Sequence, residues 1–182
     1  KSTLLRELET NSPSMVERGL VRYITPERGG VLVYDAGTEQ NLSNNASWMP
    51  SERRKNLAPA FRQQSVAQYR KLKDIVLEEI ENEKRGDTDY TFDVYIKKIN
   101  SLLDNIRIKR EKATFKIFMK GSEEEIKPEL ISSGESELIS LAIECLIFSK
   151  EIVSEKNNIL LLDEPDVHLH PDLQVRLIEF LI

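Results

Sequence analysis

The sequence has little of what marks secreted or membrane-spanning proteins. Cys145 is the only cysteine in 182 residues, so no disulfide can form within the chain, and a reducing, cytoplasmic setting is favoured. No apolar run exceeds four residues, whereas a membrane-spanning helix needs about 20. The first residues show no signal-peptide pattern. We therefore expect a cytoplasmic protein that has no contact with a membrane.

The sequence also has no strong excess of basic over acidic residues, or of acidic over basic residues. The chain carries 26 basic and 31 acidic residues, for a net charge of −5. This balance argues against a uniformly basic nucleic-acid binder but leaves room for a local basic patch. Three short basic stretches, at residues 53–55, 70–73 and 107–110, have acidic neighbours, and solvated surface is their default interpretation. DNA binding thus stays open, but the composition does not predict it.

The residues that are present suit one α/β domain. A hydrophobic content of 40% is enough for a core. Hydrophobic periodicity predicts helices at residues 2–9, 62–84, 92–106, 138–152 and 171–182. It predicts strands at residues 20–24, 31–34, 112–120 and 158–162, with residues 35–59 mostly loop.

Two details of this pattern bear on the architecture. The adjacent amphipathic helices within residues 62–110 predict a helical insertion packed as a pair. The strand at residues 158–162 has four consecutive apolar residues, so we expect it to be central in its sheet and covered on both faces.

Paired carboxylates follow that apolar strand. In open α/β sheets ligands bind at the carboxyl ends of strands, so Asp163 and Glu164 lie where a site would form. Two carboxylates there can divide the work, with Asp163 supporting Mg²⁺ and Glu164 polarising the attacking water. Alone, the pair is better explained as a solvated strand end.

A small-residue turn opens the preceding helix. Ser132 and Glu135 fit a capping box, which by itself indicates an ordinary helix start. However, Ser132, Ser133 and Gly134 also leave backbone N–H groups and a hydroxyl at the positive end of a helix, and such an end binds phosphate readily.

Together the two motifs resemble the signature and Walker B motifs of ABC-type ATPases. More narrowly, residues 162–171 (LDEPDVHLHP) resemble the ATPases of chromosome-maintenance, break-repair and overcoming-lysogeny-defect type, and the compact Septu or retron-associated antiviral ATPases most of all. The resemblance implies a P-loop NTPase fold with an ABC-type core sheet across residues 1–182. It also implies ATP and Mg²⁺ as cofactors. A head-to-head homodimer would follow, in which the signature of one subunit closes over the nucleotide held by the other.

The resemblance also assigns roles to the first residues. Lys1 matches the Walker A lysine that binds the β- and γ-phosphates, Ser2 the Mg²⁺-ligating hydroxyl, and Thr3 the residue that holds the α-phosphate. The glycines that precede this lysine in the family are missing. We therefore expect the chain to be a segment of a longer protein.

The remaining roles fall further along the chain. In the resemblance, Ser132, Gly134 and Glu135 match the signature, while Ser133 replaces a glycine. Asp163 matches the Walker B aspartate, a metal ligand, and Glu164 the catalytic glutamate. Gln63 and Gln64 are candidates for the glutamine loop that approaches Mg²⁺.

Two histidines allow a competing metal hypothesis. The spacing of His168 and His170 suits a pair of zinc ligands, but two ligands do not make a site and Cys145 lies in a predicted helix. Packing and capping at the dimer seam is the preferred interpretation. The family's switch histidine is expected after Ile182, so neither residue takes that role.

The resemblance implies an ATPase whose dimer opens and closes with hydrolysis and gates a DNA-directed or nuclease-linked process, in antiviral defence. Three alternatives remain: an ATP-sensing scaffold that restrains a partner nuclease or toxin with little turnover, a DNA-repair or chromosome-maintenance ATPase, and a DNA-binding module without catalysis. The sequence contains no nuclease motif, so such an activity would belong to a partner or another segment.

Overall fold

The computed structural model describes residues 2–10, 19–26, 28, 30–45, 47–54, 61–167 and 169–182. These residues form a mixed α/β structure with two small sheets. The helices are α1 (Ser2–Thr10), α2 (Ala36–Asn44), α3 (Trp48–Arg54), α4 (Phe61–Asn82), α5 (Phe92–Leu102), α6 (Ser133–Glu151) and α7 (Pro171–Leu181), with a 3₁₀ turn at Pro128–Leu130. The strands are β1 (Val21–Ile24), β2 (Ile106–Glu111), β3 (Thr114–Met119), β4 (Glu125–Ile126) and β5 (Ile159–Leu162).

The first sheet is a parallel pair of β1 and β5. Their register places Val21 opposite Ile159 and Ile24 opposite Leu162. The N–H group of Asp163 continues the ladder by donating to the carbonyl oxygen of Ile24 at 3.1 Å. Because parallel strands end at the same edge, the residues that follow β1 and β5 emerge side by side.

The expectation that β5 is central and covered on both faces is wrong for the described residues. There it pairs with β1 alone, Ile159 is 42% exposed, and the three residues after it are only partly buried. Leu160 and Leu162 line an open groove with Phe180 of α7. A short apolar run fits a strand covered on both faces and a strand that borders an apolar groove equally well, so the run alone cannot separate the two.

The second sheet is antiparallel, in the order β2-β3-β4. Burial alternates along β2 and β3, with Ile108 and Ile117 paired across the ladder on the core side. Only β3 was expected from the sequence. The strand β2 was missed because Ile106, its first residue, extends the apolar stripe of the helix before it.

Helix α6 is the centre of the core. Its side chains are buried from Gly134 to Ile147, so it is covered on nearly all sides. Helix α4 packs mainly on α6, and α5 contacts both. The helices within residues 62–110 are therefore held less by each other than by α6, and β2 completes that segment.

The stretch before α4 departs from the sequence prediction. No strand forms at residues 31–34, where Val33 and Tyr34 are exposed. The predicted loop at residues 35–59 contains α2 and α3. The signal for α2 is Asp35, whose carboxylate accepts the N–H group of Thr38 at 2.6 Å and so caps the helix.

None of the described helices is both long and apolar enough to cross a membrane.

A cluster of charges joins β1, α4 and the end of α6. The carboxylate of Glu151 accepts hydrogen bonds from Arg22 and Lys71. Burial alone would raise the pKa of the Glu151 carboxyl, but Arg22 and Lys71 outweigh it and lower that pKa below its usual value of 4.5. A lowered pKa stabilises the fold above the usual pKa, and the contribution disappears as the pH falls through the lowered value.

Replacing Glu151 should therefore change how stability depends on acid. We expect Glu151→Gln to lower the free energy of unfolding at pH 7 and to reduce the loss of stability as the pH falls from neutral to below 4.5. Urea denaturation followed at several pH values measures both effects. Glu81→Gln, on the exposed side of α4, is the control. An unchanged dependence of stability on pH for Glu151→Gln would show that the ion pairs of Glu151 do not contribute to the free energy of unfolding.

Candidate functional site

The site is built where β1 and β5 end. Asp163 is 3% exposed, and its Oδ2 accepts a hydrogen bond from the hydroxyl of Tyr23 on β1 at 2.9 Å. Burial, together with the Asp163 carboxylate and against the opposing effect of Arg6, raises the pKa of Tyr23 above 10.0. The phenol therefore stays protonated at neutral pH and acts as the donor, which fixes the orientation of the Asp163 carboxylate.

Glu164 occupies a different environment from its neighbour. Its side chain is exposed, and its φ of 48° lies in the left-handed region, which costs a residue other than glycine about 1–2 kcal/mol. The chain thus turns sharply between a buried carboxylate and a solvent-facing one. A fixed oxygen ligand and a water-facing base are the roles that suit these two environments.

The turn before α6 is open to solvent. Ser132 is the N-cap: its Oγ accepts the N–H group of Glu135 at 3.2 Å and donates to Oε2 of the same residue. The other carboxylate oxygen of Glu135 accepts the N–H group of Asn105 at 2.9 Å, which ties the turn to the connection between α5 and β2. Ser132 and Ser133 are exposed, whereas Gly134 and Glu135 are buried. The positive end of a 19-residue helix is therefore held rigidly at the surface.

The start of α4 lies against this turn. Arg62 donates to the carbonyl oxygens of Gly30 at 2.9 Å and of Ser133 at 3.4 Å. Gln63 is half-buried, and Gln64 is 2% exposed. Within the described part of the chain, neither glutamine is hydrogen-bonded to Asp163 or Glu164, so their proposed contact with Mg²⁺ stays a prediction.

The predicted phosphate-binding residues can be placed only in part. Lys1 lies outside the described residues. Ser2 begins α1, with its side chain not described, and Thr3 is exposed. Helix α1 packs on β1: Glu9 accepts the N–H group of Tyr23 at 3.1 Å, and Arg6 contacts the Tyr23 hydroxyl. Residues of α1, β1 and β5 therefore meet around Tyr23.

The donor set fits Mg²⁺ better than zinc. In the described part of the chain, no three His, Cys, Asp or Glu side chains are grouped so that they could hold a metal ion. His168 lies outside that part, and His170 is an exposed N-cap residue without a side-chain capping bond. Mg²⁺ needs only one or two protein oxygens, because water and phosphate complete its shell. The Asp163 carboxylate is the candidate for one such oxygen; the Ser2 hydroxyl, predicted from the sequence as a second, belongs to a side chain that the structure does not describe.

Comparison with known families decides the class of the chain. Residues 38–182 match the family described as AAA ATPase domain. The chain belongs to the AAA ATPase domain family. It is therefore a P-loop NTPase, and its mixed α/β structure agrees with that class. No curated protein and no solved structure matched the chain.

The family match covers only some of the site. Within this AAA ATPase domain, the matched region contains the Ser132 turn and the Asp163–Glu164 pair, whereas Lys1, Ser2 and Thr3 precede it. The match supports ATP binding and hydrolysis in general, with Mg²⁺ as the usual companion of the nucleotide. It assigns no role to a single residue.

Sequence reasoning missed three residues that build the site: Tyr23, Arg28 and Arg62. Tyr23 and Arg28 reach the end of β5 from about 140 residues away, a separation at which no local pattern signals contact. Only a prediction that β1 pairs with β5 could have identified Tyr23 and Arg28, because that pairing brings the residues at the ends of both strands together.

Removing the Tyr23 hydroxyl should weaken Mg²⁺ binding more than nucleotide binding. Tyr23→Phe keeps the ring but frees the Asp163 carboxylate, and the loss of such a supporting partner typically costs about 10-fold or more in metal affinity. We expect the Mg²⁺ concentration for half-maximal ATPase activity to rise by about that factor. Nucleotide affinity in EDTA should stay unchanged.

Tyr34→Phe removes an exposed hydroxyl and serves as the control. A Mg²⁺ titration of Tyr23→Phe that superimposes on the wild-type curve would contradict the role of Asp163 as a Mg²⁺ ligand oriented by Tyr23.

Proposed function

We propose that this AAA ATPase domain is of the ABC type and hydrolyses MgATP between two head-to-head copies. The observation that carries the proposal is the pairing of a buried, tyrosine-oriented Asp163 with an exposed Glu164 at one strand end. The open turn at Ser132 adds the second half of such a site. The family match supports ATP as the nucleotide.

The chemistry follows from the environments of the two carboxylates. Asp163 would hold Mg²⁺, which would supply positive charge against the phosphates. Glu164 orients a water molecule and takes its proton as the water oxygen attacks the γ-phosphorus. The bond between the γ-phosphorus and the bridging oxygen breaks, so that ADP and phosphate leave.

A second copy is proposed because the Ser132 turn is exposed. The first N–H groups of a helix lack acceptors within the helix. Here Ser132 Oγ accepts the N–H group of Glu135, and the two exposed residues at this end are Ser132 and Ser133. They suit the γ-phosphate of a nucleotide held by a partner subunit. Asp166 and Val167, which follow the Asp163–Glu164 pair, are also exposed and are free to line the seam of a two-fold dimer.

The process coupled to hydrolysis is proposed from the run at residues 162–171. Its similarity to overcoming-lysogeny-defect, Septu and retron-associated ATPases favours a partner nuclease or toxin in antiviral defence. Direct DNA binding is less favoured, because basic side chains on the β2–β3 surface already pair with acids. Arg107 and Lys109 bind Glu123, and Lys116 binds Glu125.

Glu164→Gln tests the catalytic assignment. The amide keeps the shape of the side chain but cannot take a proton, so single-turnover hydrolysis should slow by about 100-fold or more while ATP still binds. A dimer should then accumulate in the presence of MgATP, as measured by light scattering.

The control is Glu179→Gln, at an exposed position on α7. A wild-type rate for Glu164→Gln would remove Glu164 from the mechanism. A wild-type protein that dimerises with ATP but does not turn it over would favour the scaffold alternative.

Ser132 variants separate helix capping from phosphate binding. Ser132→Ala loses the cap and should destabilise the protein by about 1 kcal/mol. Ser132→Asp keeps the cap acceptor but loses the donor to Glu135 and sets a negative charge against that carboxylate and the triphosphate. It should destabilise the protein at least as much as Ser132→Ala, but ATP-dependent dimerisation and hydrolysis should be lost more completely than in Ser132→Ala. Urea denaturation and ATPase assays measure the two effects. Full hydrolysis by Ser132→Asp would contradict the proposed role of the turn.

A further inference from the structure

Arg28 is buried beneath the Asp163–Glu164 turn. Its Nη2 donates to the carbonyl oxygen of Glu164 at 2.7 Å, and its Nη1 donates to the carbonyl oxygens of Asp163 at 3.2 Å and Thr25 at 3.0 Å. Its side chain is fully buried. A guanidinium presents several N–H donors in one plane, and here three of its bonds hold backbone atoms at the ends of β1 and β5.

The contact with Glu164 bears on the strained part of the turn. A residue other than glycine stays in the left-handed region only where its surroundings hold it there. The carbonyl group of Glu164 receives a charge-assisted hydrogen bond from Arg28, and such bonds are stronger than those between neutral groups. Loss of this bond would let the backbone relax and would redirect the Glu164 side chain.

The other end of Arg28 reaches α6. Its Nε donates to Oε1 of Glu137 at 2.7 Å, and both side chains are fully buried. Glu137 lies in the second turn of the helix that begins after Ser132. One buried ion pair therefore connects the carboxylate turn with the helix that presents the Ser132 turn.

We infer that Arg28 is a positioning residue: it holds the backbone of Glu164 so that the carboxylate meets the attacking water, and it links this turn to α6 through Glu137. The inference rests on the proposed ATPase function and deepens it. The Arg28 side chain is fully buried, so it acts through Glu164 and not directly on the substrate.

The alternative is that the Arg28–Glu137 ion pair only stabilises the fold. A double substitution distinguishes this structural role from the positioning role. Replacing a buried ion pair with apolar residues of similar size is often neutral or stabilising. Arg28→Met combined with Glu137→Leu should therefore regain part of the thermal stability that Arg28→Met alone loses, because Glu137 no longer leaves an unpaired buried charge. If Arg28 positions Glu164, kcat stays reduced by about 10-fold or more, with KM and ATP affinity near wild type. If its role is structural, kcat returns with stability, and that result would overturn the inference.

Arg28→Lys provides a second test that does not depend on the folding of the double variant. Lysine keeps the charge opposite Glu137, but one ammonium group cannot reproduce a planar fork that holds three carbonyl groups. We expect a similar fall in kcat without a change in ATP affinity in the full-length protein. Arg107→Lys, at a partly exposed ion pair with Glu123, is the matched control.

A third experiment tests whether Arg28 acts through Glu164. In a Glu164→Gln background, Arg28→Lys should cause no further loss of hydrolysis, because two residues that act as a unit are not additive. Independent, additive losses would overturn the inference. A wild-type rate for Glu164→Gln alone would instead contradict the proposed function. Failure of the inference about Arg28 can therefore be distinguished from failure of the proposed function.

Discussion

The in-register pairing of β1 with β5 is the constraint on which the site depends. It joins residues 140 positions apart, so that the Tyr23 hydroxyl meets the Asp163 carboxylate. A shift of one residue would turn Tyr23 to the opposite face of the sheet and remove the only described hydrogen bond to that carboxylate. The ends of the two strands then define the place where Arg28 enters. The candidate metal ligand, the candidate base and the arginine that we infer to position it all depend on this pair of strands.

Buried charge gives the site its rigidity. Arg28 and Glu137 lie fully inside the protein, where an unpaired charge would be strongly destabilising. Arg62 bridges the loop after β1 and the Ser132 turn from the other side, and burial lowers the pKa of its guanidinium. Polar links of this kind are directional, unlike apolar packing, so they fix how the two halves of the candidate site face each other. Apolar residues could supply stability here, but they could not hold carbonyl groups in a strained turn.

The sequence predicted the long helices and the location of the carboxylates, but not the contacts that orient them. Helices α4, α6 and α7 were anticipated because their apolar periodicity is strong. The short helix α2 was missed, since local capping at Asp35 rather than periodicity defines its start, and the seven-residue α3 was missed as well. The role of Arg28 had no local signal, because its partners on α6 and at the end of β5 lie 109 to 136 residues away. Burial was the weakest prediction: β5 was expected to be central, and Gln64, proposed for the glutamine loop, is almost fully buried.

The central claim is that each site takes its carboxylates from one copy and its Ser132 turn from another. Mixing two inactive variants of the full-length protein, Ser132→Asp and Glu164→Gln, tests it most directly. In a mixed head-to-head dimer one site carries both defects and the other carries neither. The account predicts that the mixture regains up to about a quarter of wild-type ATPase activity, if copies pair at random in a two-fold dimer. A mixture as inactive as its components would contradict it.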